Sequence, residues 1–190
     1  MTMKAKHLIY RLYEKNYRFL GAGVYSAVFA SKKQENIVYK VGNTISDPYL
    51  AYVENGPIDN IHFPKVYSVV KSKKYDMYIA KLQKLEGFSE YFDGPLSFKL
   101  LNDFNKSLLS GDFSYKEEYS NIGISKNITD VVKHIYKICD DFYEYKIDLH
   151  SANVMCNSNT LVITDPIANY SFSGFSDGVE DWLEESIENM

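Results

Sequence analysis

Asp148 and Asn153 stand five residues apart in Ile147-Asp148-Leu149-His150-Ser151-Ala152-Asn153-Val154-Met155, and Asp165 follows Asp148 by 17 in Ile163-Thr164-Asp165-Pro166. A carboxylate, an amide and a second carboxylate gathered at one turn are what phosphoryl transfer asks for. One group accepts a hydroxyl proton, and two oxygen donors hold Mg2+ across phosphate oxygens. The ordinary alternative is that each Asp caps a turn, since a buried carboxylate with neither partner nor metal is expensive.

Two features upstream belong to the same chemistry. Gly21-Ala22-Gly23-Val24-Tyr25-Ser26 lies between two extended runs, where glycines let a backbone approach phosphate oxygens and turn its N–H groups on them. A hairpin that uses Gly only for positive φ explains the same pattern. Lys40, 17 residues after Gly23, is flanked by Val38-Tyr39 and Val41. Alone it reads as an edge or solvent lysine. After a glycine loop it reads as the cation that pairs with phosphates.

The elements that must position these residues change character along the chain. Tyr17–Leu20, Val24–Phe29 and Ile37–Val41 predict strands, Tyr49–Glu54 a short helix opened by Asp47-Pro48, and Lys65–Val70 with Asp76–Leu82 a hairpin. Ile9, Leu12 and Tyr13 give residues 3–15 a helical stripe. Longer stripes run through Leu96, Leu100, Leu101, Phe104, Leu108 and Leu109 and through Ile128, Val131, Val132, Ile135, Ile138, Cys139 and Phe142. Short strands follow at Val154–Met155 and Leu161–Thr164, and Val179, Trp182, Leu183 and Ile187 mark a last amphipathic helix. The expected fold is α+β: a small antiparallel β lobe over residues 1–83 carrying one helix, then a reduced helical lobe over 84–190.

Composition narrows the function classes. With 190 residues, 45% hydrophobic and 24% charged, the chain suits one domain or two small lobes and is too apolar for disorder. A net charge of -4 supplies no global basic field, so nucleic acid is not expected as a main partner. No apolar run is long enough for a bilayer span, and the N-terminus lacks a signal-peptide core. Cys139 and Cys156 form no metal or disulfide pattern and lie in apolar runs. They read as core residues in a reducing cytoplasm, and the 17 Tyr and 11 Phe, spread along the chain, read as large side chains filling a small core.

In Phe19-Leu20-Gly21-Ala22-Gly23, Tyr39-Lys40-Val41-Gly42, Asp148-Leu149-His150-Ser151-Ala152-Asn153-Val154-Met155 and Ile163-Thr164-Asp165-Pro166 the chain resembles the protein-kinase-like superfamily. More narrowly, it resembles the early protein kinases of autographivirus bacteriophages. The resemblance runs from about Tyr17 to Ile167 and leaves 84–127 unmatched. It implies a miniature bilobal protein-kinase-like fold and an ATP- and Mg2+-dependent enzyme that phosphorylates serine or threonine of host proteins in the host cytoplasm. By the same resemblance Lys40 would hold the α/β-phosphates and Asp148 would deprotonate the acceptor. Asn153 and Asp165 would bind Mg2+. His150, where eukaryotic kinases commonly place Lys, would either neutralise the transferring phosphoryl group or cap the loop. Glu54 is the candidate ion-pair partner of Lys40, and the backbone of Ala80-Lys81-Leu82-Gln83 would read adenine.

The departures carry their own expectations. Ile147 replaces the usual Arg, so no phosphorylated activation loop can dock there, and activity without activating phosphorylation is expected. Pro166-Ile167 replaces Phe-Gly and stiffens the segment. With 25 residues after Asp165, the peptide platform is either minimal or completed by a second copy of the chain, which leaves a homodimer open. Self-phosphorylation is expected in Tyr170–Ser176, and the acidic residues from Asp177 to Glu188 read as the wet face of the last helix. Two rival functions remain: a small-molecule phosphotransferase of the aminoglycoside or choline type, which also writes D-x-H-x-x-N, and a catalytically silent kinase-fold inhibitor that binds a host protein.

Overall fold

The computed structural model describes residues 12, 14, 15, 17–23, 25–31, 33–44, 47–72 and 76–170. The expected helix 179–187 and all of the self-phosphorylation segment except Tyr170 lie outside them, as does most of 3–15, of which Leu12 and Glu14 are helical. The fold is α+β, with an antiparallel β lobe and helices, and the chain divides into two compact units.

The first unit is built on a five-stranded antiparallel sheet: β1 (Tyr17–Ala22), β2 (Ser26–Ser31), β3 (Ile37–Asn43), β4 (Val66–Ser72) and β5 (Met77–Gln83), in the order β1-β2-β3-β5-β4. Strand alternation sorts the side chains by face. Ala27 and Phe29 of β2, Val41 of β3 and Met77 of β5 bury one face together with Leu12, and Tyr17, Phe19, Ala22 and Ile79 pack around them. The opposite face takes Val28, Val38, Lys40, Ala80 and Leu82, because Lys40 pairs with Val28 and Ala80 while Val38 pairs with Leu82. Gly42 ends this row under Tyr78, whose hydroxyl donates to the buried Asp47 carboxylate at 2.5 Å. A side chain at Gly42 would overlap both partners.

The second unit holds residues 48–65 and 85–171. Its helices are α1 (Tyr49–Glu54), α2 (Phe88–Tyr91), α3 (Pro95–Leu109) and α4 (Ile128–Asp141), with a 3-10 turn at Glu117–Ile122. Pro95 opens α3 after Gly94 at φ 111, and Ile128, Val131, Val132, Ile135 and Ile138 bury one face of α4. Short strands complete it: β6 (Glu86–Gly87), β8 (Val154–Asn157) and β9 (Thr160–Ile163) in the order β6-β8-β9, and β7 (Tyr145–Ile147) paired antiparallel with β10 (Ile167–Asn169). Helix α1 and the loop after it interrupt the sheet strands in sequence, yet they pack in this helical unit.

Candidate active site

In the sheet unit, β1 and β2 make a hairpin closed by the Gly23 N–H donating to the Ser26 carbonyl at 2.8 Å, with Tyr25 half-buried and Ser26 buried. Neither Gly21 nor Gly23 has a positive φ, and among the described residues an added Cβ at either would meet nothing within 4 Å. Left-handed backbone and internal crowding, the usual structural reasons for glycine, are therefore both missing here. Ala22, between them, is half-buried in the strand.

Lys40 lies on the strand next to this hairpin, and only 5% of it is exposed. β3 runs between β2 and β5, so this is neither an edge nor a solvent lysine. Its ammonium rises from an apolar row of Val28, Val38, Ala80 and Leu82, where a charge must be answered by an anion or a hydrogen-bonding group. The two adenine-binding candidates on β5 are placed differently. Lys81 pairs with Tyr39 and Ser68, and Leu82 with Val38 and Val66, so their backbones sit inside ladders on both sides. What β5 presents on the Lys40 side is the apolar Ala80 and Leu82 side chains.

In the helical unit, Asp148, His150, Asn153 and Asp165 come together on irregular backbone between β7 and β10. The Asp148 N–H donates to the Pro166 carbonyl at 2.8 Å, which ties the start of the loop to the residue after Asp165. The Asn153 carbonyl accepts from the Thr164 N–H (3.0 Å), the Asp165 N–H (3.2 Å) and the Thr164 hydroxyl (2.9 Å). The Asn153 side chain spends its amide N–H on the Asp148 carbonyl at 2.6 Å. Its Oδ1 is thereby fixed in orientation as an acceptor.

His150 stitches the turn. Its Nδ1 accepts the Ala152 N–H at 3.2 Å, and its Nε2 lies 3.0 Å from the Asn153 amide nitrogen and 3.9 Å from an Asp148 carboxylate oxygen. The Asp148 side chain is 40% exposed and that of His150 is 53% exposed. Glu54 is exposed at the end of α1, in a different unit from Lys40.

Two residues that sequence reasoning missed hold the strand leading to Asp165. The Tyr52 hydroxyl donates to the Ile163 carbonyl at 3.0 Å, and burial, then the neighbouring Tyr49 and Asp165 charges, push its phenol well above the ordinary range. His62, fully buried, accepts the Ile163 N–H on its own carbonyl (3.0 Å) and donates from Nδ1 to the Leu161 carbonyl (2.7 Å). Its Nε2 faces the Ser125 N–H at 3.1 Å, so the ring is held neutral, and burial lowers its pKa against the opposing pull of the Leu161 bond. Neither side chain sits in a motif; their partners lie 111 and 99 positions away.

Cys156 is a core residue, as expected, while Cys139 is only half-buried. Both are free, and burial raises both thiols, Cys156 to about 11 with Glu86 and Glu90 adding to the shift. Among the described residues no helix is long and apolar enough to cross a membrane.

The family model described as Bacteriophage T7 protein kinase 0.7 matches residues 5–185. The chain belongs to this phage protein kinase family. The match spans the helical segment 84–127, which the motif resemblance left blank, so membership extends across both units. A search of curated proteins finds no match to the chain.

Proposed function

We propose that this member of the phage kinase family transfers the γ-phosphate of ATP, with Mg2+, to serine or threonine hydroxyls of host proteins. The observation that carries the reading is the knot at Asn153, whose carbonyl is bonded by Thr164 and Asp165 while its amide bonds Asp148. These bonds tie Asp148, Asn153 and Asp165 to one turn, where Asn153 Oδ1 and the Asp165 carboxylate would serve as two oxygen donors near the half-exposed Asp148. Among the described residues no three His, Cys, Asp or Glu side chains gather as a metal cage. Two hard oxygen donors suit a cation that takes its remaining ligands from phosphates and water, as Mg2+ does.

Bound Mg2+ would neutralise charge on the β- and γ-phosphate oxygens. Asp148 would orient the acceptor hydroxyl and take its proton. Lys40, on its apolar row, would pair with the α/β-phosphates, and the hairpin Gly21–Ser26 would bring backbone N–H groups to the phosphates, with glycine there to admit the ligand. His150, held by Ala152 and Asn153, would keep the loop in shape.

The test supplies purified protein with labelled ATP and Mg2+ and, as acceptors, host extract, aminoglycosides or choline. Labelled phosphoserine and phosphothreonine in proteins, lost in Asp148→Asn, support the reading. Label on the small molecules alone replaces it with the phosphotransferase alternative. No transfer, with host effects intact in Asp148→Asn, replaces it with a silent inhibitor.

A further inference from the structure

β9 is an edge strand of its sheet, since the order is β6-β8-β9, and an open edge leaves N–H and C=O groups unanswered. Here that edge is covered by residues far away in sequence. The Ile163 carbonyl accepts from Tyr52, the Ile163 N–H donates to His62, and the Leu161 carbonyl accepts from the His62 ring. Two residues past Ile163 is Asp165, whose own N–H is bound to Asn153.

Tyr52 is itself fixed from behind. It is fully buried on α1, its carbonyl accepts His134 Nε2–H from α4 at 2.8 Å, and its ring packs on Phe63 with centroids 4.9 Å apart and on His134 at 5.7 Å. From α4 through Tyr52 to Ile163, two hydrogen bonds joined by one residue thus end two positions before the proposed metal ligand.

The geometry points to Tyr52 as a positioning residue that sets where Asp165 presents its carboxylate to the divalent cation, with α1 serving as a fixed strut of the catalytic unit. This rests on the kinase reading above. Removing one hydroxyl should let Ile163 and the residues after it relax away from the register that Asn153 imposes from the other side. Metal affinity, and not only fold stability, should then fall.

The experiment titrates Mn2+ into the full chain with a non-hydrolysable ATP analogue, read by electron paramagnetic resonance of free Mn2+. Tyr52→Phe is expected to raise the Mn2+ dissociation constant about tenfold, the lower end of what loss of an outer-shell partner costs a metal site. Asp165→Asn should raise it further, while binding of the nucleotide without metal stays as in wild type. A purely structural Tyr52 would lower the melting temperature and leave the Mn2+ constant of the folded protein unchanged, and that result overturns the inference. Should Tyr52→Phe not fold, His134→Ala removes the brace on the Tyr52 carbonyl and should weaken Mn2+ several-fold; an unchanged constant overturns the inference equally. A wild type that holds no Mn2+ with the nucleotide overturns the kinase reading itself, and the inference falls with it.

Discussion

The sheet unit and the helical unit hold their proposed site residues by opposite means. In the sheet, Lys40 and the glycine hairpin are carried on regular ladders, and position follows from register: Lys40 faces Val28 and Ala80 because β3 is paired on both sides. In the helical unit, Asp148, Asn153 and Asp165 sit on backbone with no repeating pattern, and their position follows from individual side-chain bonds, Asn153 to Asp148, Thr164 to Asn153 and Tyr52 to Ile163. A binding surface can be delivered by a repeating scaffold. A reacting centre that needs three oxygen-bearing groups at one turn is built bond by bond, so single atoms matter more there.

The contrast can be broken, starting with the largest effect. Asp165→Asn should lower phosphate transfer on the order of a thousand-fold, since a bound metal supplies several kcal/mol of charge stabilisation; steady-state transfer across a range of Mg2+ checks it. Lys40→Met, which keeps the apolar stem, should lower kcat/KM about a hundred-fold with an unchanged circular dichroism spectrum, the equivalent of roughly 2.7 kcal/mol of lost phosphate pairing. Gly21→Ala and Gly23→Ala should each raise the KM for ATP about tenfold, roughly 1.4 kcal/mol, while leaving the melting temperature at or slightly above wild type. No atom of the described residues opposes the added methyl, and the unfolded chain loses freedom. A falling melting temperature would instead show those glycines to be structural.

The smallest effect separates the units by pH. The folded-state pKa of His62 lies below its unfolded value, so the unfolded chain takes up the proton first on acidification. The full His62 contribution is present above the unfolded value of about 6.5, and it is lost as pH falls from there toward the folded value. His62→Asn should be less stable at pH 7.5 yet show a flatter melting-temperature profile below pH 6.5. Equal slopes in the two proteins would remove His62 from the acid response.

What could be read in the sequence follows the same division. α3 and α4 were legible because a long apolar stripe at period 3.6 has one reading, and the Asp148-x4-Asn153 spacing was legible because the turn that joins them is local. β6, β7 and β10, two or three residues each, are too short to show a period. Residues 49–54 were read as a helix, but six residues cannot say which unit their buried side will meet, and α1 packs with the helical one. Tyr52 and His62 were invisible for a related reason: each acts through backbone groups about a hundred positions away, and any residue type presents a carbonyl there. The backbone of Lys81 and Leu82, a candidate for reading adenine, is in ladders on both sides because β5 is an interior strand, and neighbour order is a property no local pattern encodes.

The central claim is that the Asp148 turn performs the transfer itself. Its most direct test separates binding from chemistry in one variant, measuring for Asp148→Asn both ATP affinity in the presence of Mg2+ and the rate of γ-phosphate transfer to host protein. ATP affinity within threefold of wild type and a transfer rate lower by at least about a hundred-fold, the span of general acid–base catalysis, is the expected result. Transfer at the wild-type rate would contradict it.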